Sequence, residues 1–175
     1  MPPTIAGARP RAVAGTLAFL VVAPGVVAGL VPYLLTGWEA EAGVVLLAQV
    51  AGWLLVAAGV AALLPSFARF ALQGLGTPAP VAPTEHLVVT GLYRHVRNPM
   101  YLAVGAIIAG QALALGRPGL LLYLALFAAA VVAFVRGYEE PALRRRFGAQ
   151  YAEYRGAVPG WWPRLRPWTP PARRD

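Results

Sequence analysis

The sequence predicts an all-α, polytopic membrane protein, and three observations lead there. Hydrophobic residues make up 58% of the 175 residues against 13% charged, with a mean hydropathy of +0.60, a balance outside the range of soluble domains. Apolar runs close to the length of a bilayer crossing recur along the chain. Every basic residue is Arg, and all but Arg117 fall in segments that lie on one side of a four-helix crossing pattern. One integral membrane domain over residues 1–175 follows, with about four transmembrane helices at residues 12–35, 43–64, 99–116 and 118–136. Interfacial and C-terminal amphipathic helices complete it, and the Arg distribution puts both termini on the cytoplasmic side. The all-Arg basic set, with 19 Gly and 17 Pro, suggests a bacterial source and hence the inner membrane.

The first apolar run follows Arg9 and Arg11, and Pro24 and Pro32 predict kinks in it. A cleaved signal peptide is the competing reading, with Val21-Val22-Ala23 as its cleavage site, but the run continues well past that point. Residues 36–42 (Thr-Gly-Trp-Glu-Ala-Glu-Ala) carry two acids, no Arg and a Trp suited to an interfacial belt, which reads as an outer loop. The second run has Gln49 as its strongly polar interruption. Beyond it, Ser66 to Leu72 predict a short interfacial helix, and Gly74-Leu75-Gly76 with Pro78, Pro80 and Pro83 punctuate a loop. A Gly-x-Gly alone is weak evidence for a phosphate site. The last two runs, separated by Gly116-Arg117-Pro118-Gly119, form a helical hairpin in which Gly105 and Gly110 permit close approach. Residues 65–98 and 137–165 are then the cytosolic segments where chemistry would sit.

Chemistry-bearing side chains concentrate in two places. Residues 91–101 (Gly-Leu-Tyr-Arg-His-Val-Arg-Asn-Pro-Met-Tyr) put Arg94, His95, Arg97 and the chain's single Asn just before Pro99. That proline keeps Asn98 out of helical backbone and itself suits the first turn of a helix. Cations ahead of a helix N-terminus predict an anionic guest, a carboxylate or a phosphate. The second place follows the last span, where helical spacing puts Glu140, Leu143, Phe147, Tyr151 and Tyr154 on one face. A carboxylate among aromatics suits an organic cation. The alternative is a helix lying on the bilayer, its Arg144, Arg145 and Arg146 drawn to anionic lipid. A helical hairpin would return Glu139 and Glu140 to the level of Arg97.

Composition excludes several classes. Without cysteine there is no thiol nucleophile, disulfide or thiolate metal site, and His86 and His95 are too few for a metal centre. The net charge of +8 does not point to nucleic acid, because membrane proteins gather Arg on the cytoplasmic side and bilayer-length apolar runs leave no room for a basic, aromatic-studded binding surface.

With both motifs in order around a hairpin, the C-terminal half resembles the isoprenylcysteine carboxyl methyltransferase and phospholipid methyltransferase superfamily of integral membrane enzymes. The family's Arg-His-Pro-x-Tyr core matches Arg97-Asn98-Pro99-Met100-Tyr101, preceded by Gly91 and Tyr93. Its acidic pair and trailing pattern match Glu139, Glu140, Leu143, Phe147, Gly148, Tyr151, Tyr154, Val158 and Pro159. Asn98 departs from the family's usual His and cannot exchange a proton near neutral pH, so the resemblance leaves it positioning rather than base chemistry. The resemblance implies S-adenosyl-L-methionine as methyl donor and a lipophilic acceptor reached through the bilayer. Implied catalytic residues are Arg97, Asn98, Tyr101 and Glu140. Implied donor-binding residues are Tyr93, His95, Arg97, Pro99, Tyr101, Glu139, Glu140 and Tyr151. The leading expectation is isoprenylcysteine carboxyl O-methylation. Alternatives are phospholipid amine N-methylation, or a non-enzymatic or nicotinamide-nucleotide-binding membrane protein of the same fold. Trp161, Trp162 and Trp168 are expected as interfacial anchors.

Overall fold

In lipid every backbone N–H and C=O must be satisfied within the protein, and apolar runs of this length satisfy them as helices. The computed structural model describes residues 22–73 and 87–170, and among these every regular element is helical. Four apolar helices come first: α1, Val22–Thr36; α2, Leu46–Gln73; α3, Pro99–Leu115; and α4, Gly119–Phe134. A π turn, Val135–Glu139, carries α4 without a break into α5, Glu140–Ala157. By length and composition two rods can cross a membrane, Leu46–Arg69 within α2 and the continuous Gly119–Ala157, whereas α1 and α3 are shorter. Residues 12–21 of the expected first span lie outside the described residues, as do Arg9, Arg11, Gly74-Leu75-Gly76, His86, Arg173 and Arg174.

Two boundaries differ from expectation. The helix of the second apolar run continues beyond residue 64 through Pro65, so the separate interfacial helix expected at 66–72 is the last part of α2. Proline removes the helical hydrogen bond to the carbonyl of Ala61, and beside it the Ser66 hydroxyl adds a bond to Ala62 O at 2.8 Å. The C-terminal amphipathic helix is likewise no separate element. No capping glycine or stop follows α4, and the π turn widens the backbone just ahead of Pro141, whose ring would otherwise strike the preceding turn. Gly148, at φ 50° and ψ −121°, then breaks α5.

The same device serves Pro32. A π turn, Val26–Leu30, precedes it, the Val31 N–H reaches Val26 O, and Pro32 has no N–H to return. The carbonyls of Val27 and Ala28 therefore look elsewhere. The Tyr123 hydroxyl of α4 donates to the first at 2.9 Å, and Gln111 Nε2 of α3 to the second at 2.7 Å.

α3 sits at the centre, packed against α1, α2 and α4, and buries Ala103, Val104, Ile107, Ile108, Ala112 and Leu115. Lipid tails are as apolar as these side chains, so close packing rather than water exclusion holds membrane helices together. Small residues set the α2–α3 approach: a Cβ on Gly110 would come 2.6 Å from Gly52 O, and one on Gly59 2.7 Å from Ile107 Cγ1. Gly110 thus acts as expected, while Gly105 makes only ordinary contact with Leu124 of α4. Gly116 ends α3 in left-handed backbone, φ 64°, returning its N–H to Ala112 O. Outward from this core, Leu46, Leu47, Leu54, Leu121, Leu122 and Leu126 are all more than half exposed, an apolar exterior that suits lipid rather than water.

Candidate functional site

The polar end of the bundle is assembled by three segments that meet below α3. The first is the loop of residues 87–98, whose 3-10 turn Gly91–Arg94 starts at positive φ with the Arg69 guanidinium of α2 lying against Gly91. The second is α5. The third is the extended segment after α5, residues 158–169, which folds back along the loop as a strap.

Tyr151, Tyr154 and Val158 are buried and pack with Leu143, Phe147, Leu87 and Val89, so the apolar face predicted from spacing does form. The Tyr154 hydroxyl donates to Tyr93 O at 2.7 Å, tying α5 to the loop, while the Tyr93 side chain is itself 4% exposed. The strap is held mainly through backbone. Arg97 N–H donates to Pro159 O at 2.9 Å, Arg164 N–H to His95 O at 3.0 Å and Trp168 N–H to Arg94 O at 2.9 Å. Side chains add to this: Arg94 Nε donates to Trp168 O at 2.6 Å, and Asn98 Nδ2 to Gly160 O at 3.1 Å. His95 Nδ1 lies 2.8 Å from Arg164 O; a carbonyl only accepts, so Nδ1 bears the hydrogen. The Trp168 ring packs on Tyr154 with centroids 5.5 Å apart, whereas Trp162 is 82% exposed.

Within this frame Arg97 is the hub. Its Nε donates to Val158 O at 3.0 Å, and its terminal nitrogen contacts both Glu140 Oε1 and, at 3.1 Å, the Tyr151 hydroxyl. The Arg97 and Glu140 side chains are only 14% and 16% exposed, so their attraction is less screened than that of a surface pair. Glu140 Oε2 also takes Arg155 Nε at 3.2 Å. Consecutive helical residues point about 100° apart. Glu139 accordingly faces the bundle, where its Oε2 accepts from the Tyr101 hydroxyl at 3.0 Å.

Burial sets the acid–base character here. Desolvation raises the Glu139 carboxyl above its ordinary range; the Tyr101 hydrogen bond pulls it back, and the Glu140 charge pushes it further up. Among the described residues no Arg pairs with Glu139. Burial likewise raises the phenols of Tyr93, Tyr151 and Tyr154, which stay protonated at ordinary pH. Beside Arg97, a cleft of about 300 Å³ opens along α5, lined by Arg97, Arg144, Ala152, Arg155 and Gly156.

Of the residues singled out from sequence, Arg97, Glu140 and Tyr151 come together in one cluster and Tyr101 with Glu139 in a second. Pro99 begins α3 at the junction. Asn98 and His95 instead hold the strap, and Tyr93 is packed beneath α5. Sequence reasoning missed Arg155 as a partner of Glu140. Its signal was its place one turn after Tyr151 on the same face. The strap offered no comparable signal, because its bonds are made mostly by backbone.

The model of the phospholipid methyltransferase family matches residues 47–150, more than half of the chain and the part that holds Arg97, Tyr101, Glu139 and Glu140. A search of the curated proteins returned no match, and neither did one of the solved structures. The chain belongs to the phospholipid methyltransferase family, within the superfamily of integral membrane methyltransferases that its two motifs resemble.

Proposed function

We propose that this member of the phospholipid methyltransferase family is a four-span, S-adenosylmethionine-dependent enzyme that methylates a phospholipid amine. The reading rests on one observation: the hairpin of α3 and α4 joins the two motifs into the contacts Arg97–Glu140–Tyr151 and Tyr101–Glu139. The crossing pattern takes its support from the Arg residues, which leave Arg117 alone on the outer side, as the sequence was read. On that pattern both termini are cytoplasmic. The site then opens toward the cytoplasm while the acceptor arrives laterally from the lipid.

The residues fit the donor chemically. Glu139 is a buried carboxylate satisfied by a phenol and not by a guanidinium, which suits a cationic ligand group such as the donor's ammonium. Arg97, with Tyr151 beside it, is the group for the donor's carboxylate, and Glu140 holds Arg97 in place. Tyr93 and Pro99 shape the floor, while Asn98 and His95 position the strap. When bound, S-adenosylmethionine supplies an electrophilic methyl group carried on a sulfonium. The protein contributes alignment and exclusion of water, worth a large share of the barrier in such displacements. An amine must be neutral to attack. The excess of guanidinium over carboxylate around Glu140 disfavours a further cation and so favours the neutral amine.

The acceptor expected first, an isoprenylcysteine carboxylate, becomes the second choice. The family model that matches is that of the phospholipid methyltransferases, which favours the phospholipid amine over the prenylcysteine. Calorimetry on detergent-purified protein tests the donor, comparing S-adenosylmethionine with NADPH. Binding of the former alone is expected; no binding at millimolar concentration would remove the methyltransferase reading. A labelled-methyl assay on phosphatidylethanolamine and on a prenylcysteine then separates the acceptors.

A further inference from the structure

The cleft on α5 has a charge excess that the donor site does not use. Arg144 and Arg155 reach toward it from opposite ends of the helix, and Ala152 and Gly156, one turn apart, leave the space between them open. Three guanidiniums line or border this space: Arg97, Arg144 and Arg155. Among the described residues the carboxylate paired with these guanidiniums is Glu140, which bridges Arg97 and Arg155. Like charges this close repel, and an anion seated among them relieves the repulsion.

The shape restricts which anion. The wall offers no aromatic ring and no large aliphatic side chain, so neither a purine nor an acyl chain has a surface to lie against. About 300 Å³ is at the small end for ligand sites and suits a compact group. Guanidinium forks match oxyanions that present several acceptor oxygens, phosphate above all. Arg97 belongs both to this wall and to the Glu140–Tyr151 cluster, so a group held in the cleft lies beside the donor-binding residues.

We infer that the cleft seats the phosphate of the lipid acceptor, leaving the amine two carbons away to reach the methyl donor across Arg97. The inference rests on the reading of the protein as a phospholipid methyltransferase, and it names the headgroup subsite of that reaction.

Calorimetry on the full-length protein in detergent tests it, with four probes: water-soluble dihexanoylphosphatidylethanolamine, phosphate-free dihexanoylglycerol, inorganic phosphate and S-adenosylmethionine. The variant is Arg144→Gln, an exposed side chain outside the Arg97–Glu140–Arg155 contacts; a melting curve checks its fold, and Arg144→Lys tests for partial rescue by charge. The expected result is about tenfold weaker binding of the phospholipid, one decade in Kd, with S-adenosylmethionine affinity within about twofold of wild type. Inorganic phosphate should compete with the phospholipid and not with S-adenosylmethionine. Loss of S-adenosylmethionine affinity with phospholipid binding intact would make the cleft the donor's carboxylate seat and overturn the inference. Unchanged binding of both probes would overturn it too. Inorganic phosphate binding that depends on Arg144, with phospholipid and dihexanoylglycerol bound alike, would assign the cleft to free phosphate and overturn the lipid assignment. Arginine-dependent phospholipid binding without any S-adenosylmethionine binding would support the cleft while removing the enzymatic reading.

Discussion

At the Trp38 end of the bundle, the buried amide and the guanidinium both have their partners. Gln111, 3% exposed in α3, donates to Ala28 O at 2.7 Å and accepts from Trp38 Nε1 at 3.1 Å. Arg117 pairs with Glu41 at 2.6 Å and also donates to Glu39 O. At the Arg97 end the matching is unequal: Glu140 serves two guanidiniums, Arg144 adds a third to the cleft, and Glu139 is buried without an Arg. Both ends are polar, and both lie against apolar helices. On the proposed reading, polarity at depth marks architecture when every buried group has its partner, and marks binding when buried or clustered charge is left over.

Substitutions at the two ends should separate these roles. The largest effect is expected at the hub. Arg97→Ala should lower methyl transfer by about a hundredfold through loss of donor alignment. Its melting temperature should fall less than a broken buried pair usually implies, because Glu140 retains Arg155. A turnover assay beside a melting curve checks both, and a collapse in stability with activity per folded molecule intact would erase the contrast. At the other end, Gln111→Leu leaves Ala28 O and Trp38 Nε1 without their partner. A cost of about 1 kcal/mol in unfolding free energy is expected, with turnover per folded molecule unchanged.

The smallest effect concerns pH. Because the folded protein raises the Glu139 pKa, this residue's contribution to stability is complete below the ordinary carboxylate range and is lost as pH rises through the raised value. Donor binding runs the other way, since a cation requires the ionised form. Affinity for S-adenosylmethionine should therefore increase with pH across that window in the wild type and stay flat in Glu139→Gln, whose stability should not decline there. Titration calorimetry at several pH values measures the first, and thermal melts the second.

The sequence held much of this, unevenly. Arg97, Tyr101 and Glu139 were legible from the turn at Pro99 and the helical hairpin that brings the two motifs to one level, and Glu140 and Tyr151 from spacing along one helix face. Leu143, Phe147, Tyr151 and Tyr154 were legible for the same reason. Gln111 was not singled out, although a lone amide inside an apolar run must find partners in the membrane and was signal enough. The π turns were hidden: a wider helical turn has no composition of its own, and its cause became apparent only when Pro32 and Pro141 were seen just beyond. Asn98 and His95 were read toward a ligand because of their neighbours in the chain. Their partners, Gly160 O and Arg164 O, are backbone atoms more than sixty residues away, which no spacing announces.

The contrast between the two ends is tested most directly by S-adenosylmethionine affinity measured in Arg97→Ala and in Gln111→Leu under identical detergent conditions. Affinity should fall about tenfold or more in the first, equivalent to at least 1.4 kcal/mol, and stay within about twofold of wild type in the second. Equal affinity in Arg97→Ala and wild type, or a loss confined to Gln111→Leu, would contradict the assignment of the methyl-donor site to the Arg97 end.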